Sequence, residues 1–198
     1  MALLSLFFSD WWGAGRKRRR GFWLAAFTLS SFLATTGWGQ AEYREDQLKA
    51  VFLFNFAQFV EWPPTAFANA KSPLIIGVLG DDPFGPTLDE TVRGEKIGGR
   101  KLTVRHFRHP EEIGVCHILF IGQSESSRLE SIVSILGGRG ILTVSDADRA
   151  ARRGVMIWFF TENKKIRLRI NLDAAKLAGL TISSKLLRSV EIVTSEKN

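Results

Sequence analysis

Stretches at 74–79, 117–121 and 141–144 in which apolar residues follow one another without alternation constrain this chain more than any other feature. A strand with one wet face alternates apolar and polar residues; a strand apolar on both faces must be covered on both. Each stretch is followed by a turn and then a helical pattern. Gly80, Asp81, Asp82, Pro83, Phe84 and Gly85 lead to a short helix over 87–92, and an amphipathic helix over 124–136 stops at Gly137 to Gly140. Asp146 is placed to cap a short basic helix through Arg153, while Leu102, Val104 and Phe107 add a strand. Alternating strands and helices of this kind predict an α/β fold: one compact domain with a mainly parallel sheet covered by helices on both faces.

Two further segments complete the expected fold. Residues 155–160 and 166–170 flank a polar turn at 161–165 and read as a C-terminal β-hairpin. Asn171 and Ser183 read as N-caps of two closing helices, with Gly179 as the stop between them. Ahead of the first strand, 47–60 is helical in period, with Leu48, Val51, Phe52, Phe56 and Phe59 on one face and Leu53, Phe54 and Ala57 opposite. Such a helix should be buried on two sides and end at Trp62, Pro63 and Pro64. Asn55 falls within the aromatic face. A buried amide needs partners, so Asn55 is expected to pin the 62–64 turn by a hydrogen bond, the alternative being a ligand contact.

Charge separates the chain into two parts. Its net +7 suggests an anionic partner until the five basic residues at 16–20 are set aside. Residues 42–198 hold 22 basic and 19 acidic residues, which gives no electrostatic reason to expect nucleic acid. Basic residues 16–20, the apolar stretch 22–33 and the small residues at 34–39 follow the order of a signal peptide, expected over 1–40 with cleavage between about residues 37 and 43. Arg19, Arg20 and Phe22 also fit a twin-arginine signal loosely, and the apolar residues ahead of Arg16 point to an extended signal or a later start. The mature domain is then 42–198, exported from the cytoplasm. Cys116 is the single cysteine, so no intramolecular disulfide forms, and its place before an apolar run predicts burial.

No motif calls for catalysis, a metal or a cofactor. His106, His109 and His117 lack metal-ligand spacing, and Cys116 and His117 point to opposite faces of a strand. Gly77, Gly80 and Gly85 have the wrong spacing for a dinucleotide loop, and Asp81 and Asp82 would repel a pyrophosphate. Asp81, Asp82, Asp89 and Glu90 read as a solvated acidic turn. On the second hairpin strand Lys165, Arg167 and Arg169 share one face. That face is either solvated or meets something acidic; with Ser183, Ser184, Lys185 and Arg188 on the last helix, four cations and a helix start are expected to converge on a partner or a small anion.

Residues 54–63 (FNFAQFVEWP), 77–85 (GVLGDDPFG), 170–176 (INLDAAK) and 183–187 (SSKLL) resemble the YfiR/HmsC family, with likeness running from about Glu45 to Val193. The resemblance implies a periplasmic α/β protein, a homodimer, with no chemistry and no cofactor of its own. It also implies a partner: the extracytoplasmic domain of an inner-membrane diguanylate cyclase or related sensor, held inactive so that cyclic-di-GMP output and biofilm formation are restrained. The candidate contact residues are then Arg167, Arg169, Asn171, Ser183, Ser184, Lys185, Arg188, Asn55 and Trp62. Some members carry cysteine pairs; with Cys116 alone, redox control does not carry over. The alternative is a periplasmic small-anion or small-ligand binding module using the same basic face.

Overall fold

The structure, a computed structural model, describes residues 39–188 and 190–193. The leader expected at 1–40 lies outside the described residues up to position 38, and so do residues 194–198. Helix α1 (Gly39–Phe59) starts earlier than the sequence pattern suggests and gives way to strand β1 (Val60–Glu61), because residues ahead of Pro63 and Pro64 are pushed out of the helical region. Strand β2 (Leu74–Leu79), helix α2 (Pro86–Val92), and strands β3 (Lys96–Ile97), β4 (Arg100–Phe107) and β5 (Ile118–Ile121) follow. After β5 the chain makes a 3-10 segment, Gln123–Arg128, before helix α3 (Leu129–Leu136), then β6 (Leu142–Ser145), β7 (Ile157–Glu162) and β8 (Lys165–Asn171). Helix α4 (Leu172–Leu177), strand β9 (Thr181–Ile182), helix α5 (Ser184–Leu187) and strand β10 (Glu191–Val193) close it.

Eight strands form one sheet in the order β10-β8-β7-β6-β5-β2-β4-β3, and β1 pairs with β9 separately. The pairs β10/β8, β7/β6, β6/β5, β5/β2 and β2/β4 are parallel; β7/β8 and β3/β4 are antiparallel. The fold is therefore mixed α/β with a mostly parallel sheet. Every residue of β2, β5 and β6 is buried, as their unbroken apolar sequence requires.

Successive residues of these strands serve two cores. Ile76, Val78, Ile118, Phe120, Leu142 and Val144 join one, with Ala50, Leu53, Phe56 and Ala57 of α1 and Leu88 and Val92 of α2. Leu79, Leu119 and Ile121 join the other, with Leu129, Ile132 and Leu136 of α3 and with Ala147, Ala150 and Val155. Gly77 interrupts the apolar run for a packing reason, since a Cβ there would stand 2.8–2.9 Å from Phe107, Cys116 and Leu119 side chains. Cys116 is buried, as its position predicts, and burial pushes its thiol up to about 12, which makes it unreactive.

Three expectations need correction. Residues 147–154 are a succession of turns in place of a basic helix; Arg149 takes a left-handed backbone (φ 53°), and Asp146 pairs with Lys49 instead of capping. Helix α1 is not buried on two sides: its sheet-facing arc is Ala50, Leu53, Phe56 and Ala57, while Leu48 and Val51 are exposed. Asn55 is half-buried, and none of the hydrogen bonds among the described residues uses its side chain. The 62–67 turn is held by His117, which accepts from Ile75 N–H at Nδ1 (3.0 Å) and donates from Nε2 to Ala66 O (3.2 Å). Among the described residues no helix is long and apolar enough to cross a membrane.

Candidate interaction surface

The antiparallel pair β7/β8 supplies the surface. Its two-residue turn, Asn163 and Lys164, has both residues at positive φ (51° and 59°), the conformation whose twist matches that of flanking antiparallel strands. The register places Trp158 opposite Arg169, Phe160 opposite Arg167 and Glu162 opposite Lys165. With two residues per repeat, these six lie on one face, and Ile157, Phe159, Leu168 and Ile170 lie on the other, in the core shared with α1.

On the first of these faces the Arg169 guanidinium lies 4.5 Å from the centre of the Phe160 ring and 5.3 Å from that of Trp158. The two rings are themselves 5.0 Å apart and 30° from parallel. Each cation–π contact of this kind contributes on the order of 0.5–2 kcal/mol. Arg167 is exposed and 3.9 Å from Glu162, a solvated pair that adds little. Trp158 reaches the edge of the second core, where its Nε1–H is buried and has no hydrogen-bond partner. The result is a half-buried aromatic pair under a guanidinium, with further charges around it.

The closing segment does not converge on this face. Lys185 lies 5.5 Å from the centre of the Phe59 ring, at the end of α1, and Leu186 is buried in the core that α1 shares. Asn55 is one turn before Phe59 on the same helix. The expected meeting of four cations is thus not found: Arg167 and Arg169 lie with Trp158 and Phe160, and Lys185 lies over Phe59. Ser184 on α5 and Arg188 just after it are exposed, and the four residues of α5 are too few to act as an anion-binding helix start. The Lys185 N–H is taken by Ser183 Oγ (3.3 Å), and Ser183 N–H donates to Phe59 O (2.8 Å).

Asn171 and Trp62 have structural places. Asn171 is 1% exposed; its Oδ1 accepts from Ala174 N–H (3.0 Å), capping α4 as its sequence position predicts, and its Nδ2 donates to Ala151 O (3.2 Å). Its side chain therefore offers no surface to a partner. Trp62 donates from Nε1 to His117 O (3.2 Å) and meets the His117 ring edge-on. The residues missed in the sequence are Trp158 and Phe160. Their signal is legible: Trp158 and Phe160 alternate with Ile157 and Phe159, so one strand carries large apolar groups on both faces although its partner β8 is basic on one of them.

The acidic turn is locally satisfied. Asp82 Oδ1 accepts from Phe84 N–H (2.8 Å), and Oδ2 is 3.1 Å from His106 Nε2. No cluster of potential metal ligands occurs among the described residues.

The sequence model of a family described as YfiR/HmsC-like matches residues 46–190 of this chain. No curated protein matches it. Among solved structures, a conserved domain protein from Vibrio cholerae O1 biovar eltor str. N16961 is similar at 13% identity with a TM-score of 0.46. That match covers 61% of this chain and 54% of the other, so the chain spans about half the length of that structure.

Proposed function

Because this chain belongs to the YfiR/HmsC-like family, we propose that it is a periplasmic, non-catalytic regulator that binds the extracytoplasmic domain of an inner-membrane signalling protein. The partner proposed is a diguanylate cyclase, whose restraint lowers cyclic-di-GMP output and biofilm formation. Export on the 1–40 leader and a homodimer belong to the same reading. The observation that carries the surface is the β7/β8 face: Trp158 and Phe160 only half-buried, roofed by Arg169 and bordered by exposed Arg167. Aromatic and arginine side chains in this arrangement are the groups that dominate protein interfaces, and they suit an acidic partner patch with an apolar centre. A small anion on this face has less support, since the Arg169 guanidinium is engaged by two aromatic rings and Arg167 faces Glu162.

The test is a titration of the exported chain against the periplasmic domain of a membrane diguanylate cyclase from the same organism, at two salt concentrations. Arg167→Glu should weaken binding about tenfold or more and flatten its salt dependence, while Arg188→Glu just after α5 leaves both unchanged. Loss with Arg188→Glu alone would move the partner to the α5 side. Unchanged binding in both variants would reject the basic residues as contacts.

A further inference from the structure

Away from the β7/β8 face, the turns between β6 and β7 and the 3-10 segment after β5 border an open concavity of about 550 Å³ lined by Gln123, Ser126, Ser127, Asp148, Arg149, Arg152 and Arg153. Three arginines within five residues concentrate positive charge there, set against two carboxylates, Glu130 and Asp148. Arg153 is answered by the protein: its Nη2 donates to Glu130 Oε2 and to Ser126 O, both at 2.6 Å. This fork ties the 147–154 turns to α3 and to the 3-10 segment, so the walls of the concavity are fixed relative to each other. Arg152 has no ion pair or hydrogen bond from its side chain among the described residues, and Arg149 has only Asp148, 3.5 Å away, with both side chains mostly in solvent.

Two other features single out this concavity. Arg149 holds a left-handed backbone, φ 53°, which strains any residue with a Cβ; its carbonyl nevertheless accepts from Arg152 N–H (2.9 Å) and Arg153 N–H (3.3 Å), which locks the turn. The side chains of Gln123, Ser126 and Ser127 make no hydrogen bond within the described protein, leaving two hydroxyls and an amide beside the guanidinium groups. Donors converging from two segments suit an anion with three exposed oxygens better than a planar carboxylate. We propose that this concavity is a binding site for a phosphate group, free or carried as a monoester. A volume of this size exceeds what one phosphate fills and leaves space for the organic part of an ester. The site is separate from the proposed partner face and does not depend on that reading.

Calorimetric titration of the exported chain with inorganic phosphate and with glycerol 3-phosphate, against sodium chloride at equal ionic strength, tests the assignment. Both phosphates should bind saturably, and chloride should not. Arg149→Gly removes one guanidinium while relieving the backbone strain, so the variant folds at least as well as the parent. Arg149→Gly combined with Arg152→Ala should weaken both phosphates roughly tenfold or more, while Arg105→Ala on distant β4 leaves them unchanged. Tighter binding of the ester assigns the site to esters, and equal affinity assigns it to free phosphate. Absence of saturable binding, or affinity unaltered in the double variant, overturns the proposal.

Discussion

His117 shows how one side chain settles a local structure that its neighbours leave open. At 1% exposure it joins β2 to the 62–67 turn by bonding Ile75 N–H and Ala66 O, and Phe67 stacks on its ring at 4.4 Å. Nδ1 accepts and Nε2 donates, so the neutral ring is the form the site needs. Burial pushes the imidazole below its ordinary value against the opposing effect of the Ala66 carbonyl, and Arg100 pushes the same way as burial. A folded value under the unfolded one of about 6.5 means that unfolding takes up a proton between the two. The contribution is complete above about pH 6.5 and is lost as pH falls through the folded value. His117→Ala should cost on the order of 3 kcal/mol at pH 7.5, by stranding a buried donor and acceptor, and less at pH 5. Urea denaturation at the two pH values measures this; an equal cost at both would contradict the neutral-ring assignment. Asn55, half-buried without a side-chain hydrogen bond, carries no such duty. Asn55→Leu should shift stability by no more than about 0.5 kcal/mol, and a large loss in thermal unfolding would show a partner that the structure does not contain.

At the scale of elements, α1 and the 146–155 connection are joined by a part-buried ion pair. Lys49, 6% exposed, bonds Asp146 Oδ2 at 2.8 Å and Glu45 at 3.1 Å. Burial alone would lower its pKa; the carboxylates of Asp146 and Glu45 overcome this and hold it above the ordinary value. Lys49→Met would leave Asp146 without its cation, and Asp146 Oδ1 already lacks a partner, so a loss of about 3–5 kcal/mol is expected. The double variant Lys49→Met with Asp146→Leu should lose clearly less in denaturant unfolding; an equal or greater loss would mean that the pair itself stabilises the fold. This long-range bond also explains what the sequence could and could not reveal. Strands β2, β5 and β6 were legible because burial on both faces leaves an unbroken apolar run. The 147–154 turns were not, because Asp146 looks like a cap until Lys49, 97 residues away, claims it. The arc of α1 that faces the sheet was equally hidden, since a helix apolar almost all round gives its period without its phase.

At the scale of the whole molecule, topology decides which charges can act together. Residues on β8 and on α5 are near in sequence, yet Arg169 lies over Trp158 at the second core and Lys185 over Phe59 at the first. The closing segment was legible as caps and strands, while its division between the two layers required the sheet order. What remains together is the aromatic and basic face of β7/β8, and the central claim is that docking there restrains a membrane cyclase. Cellular cyclic-di-GMP tests this most directly, measured with a membrane diguanylate cyclase of the same organism produced alone, with this chain, and with its Arg167→Glu variant at equal exported amounts. The account predicts a clear fall on adding the chain and little fall with the variant, since loss of an interface charge pair typically costs about tenfold or more in affinity. Cyclic-di-GMP that stays at the level of the cyclase alone, with the chain present in the exported fraction, would contradict it.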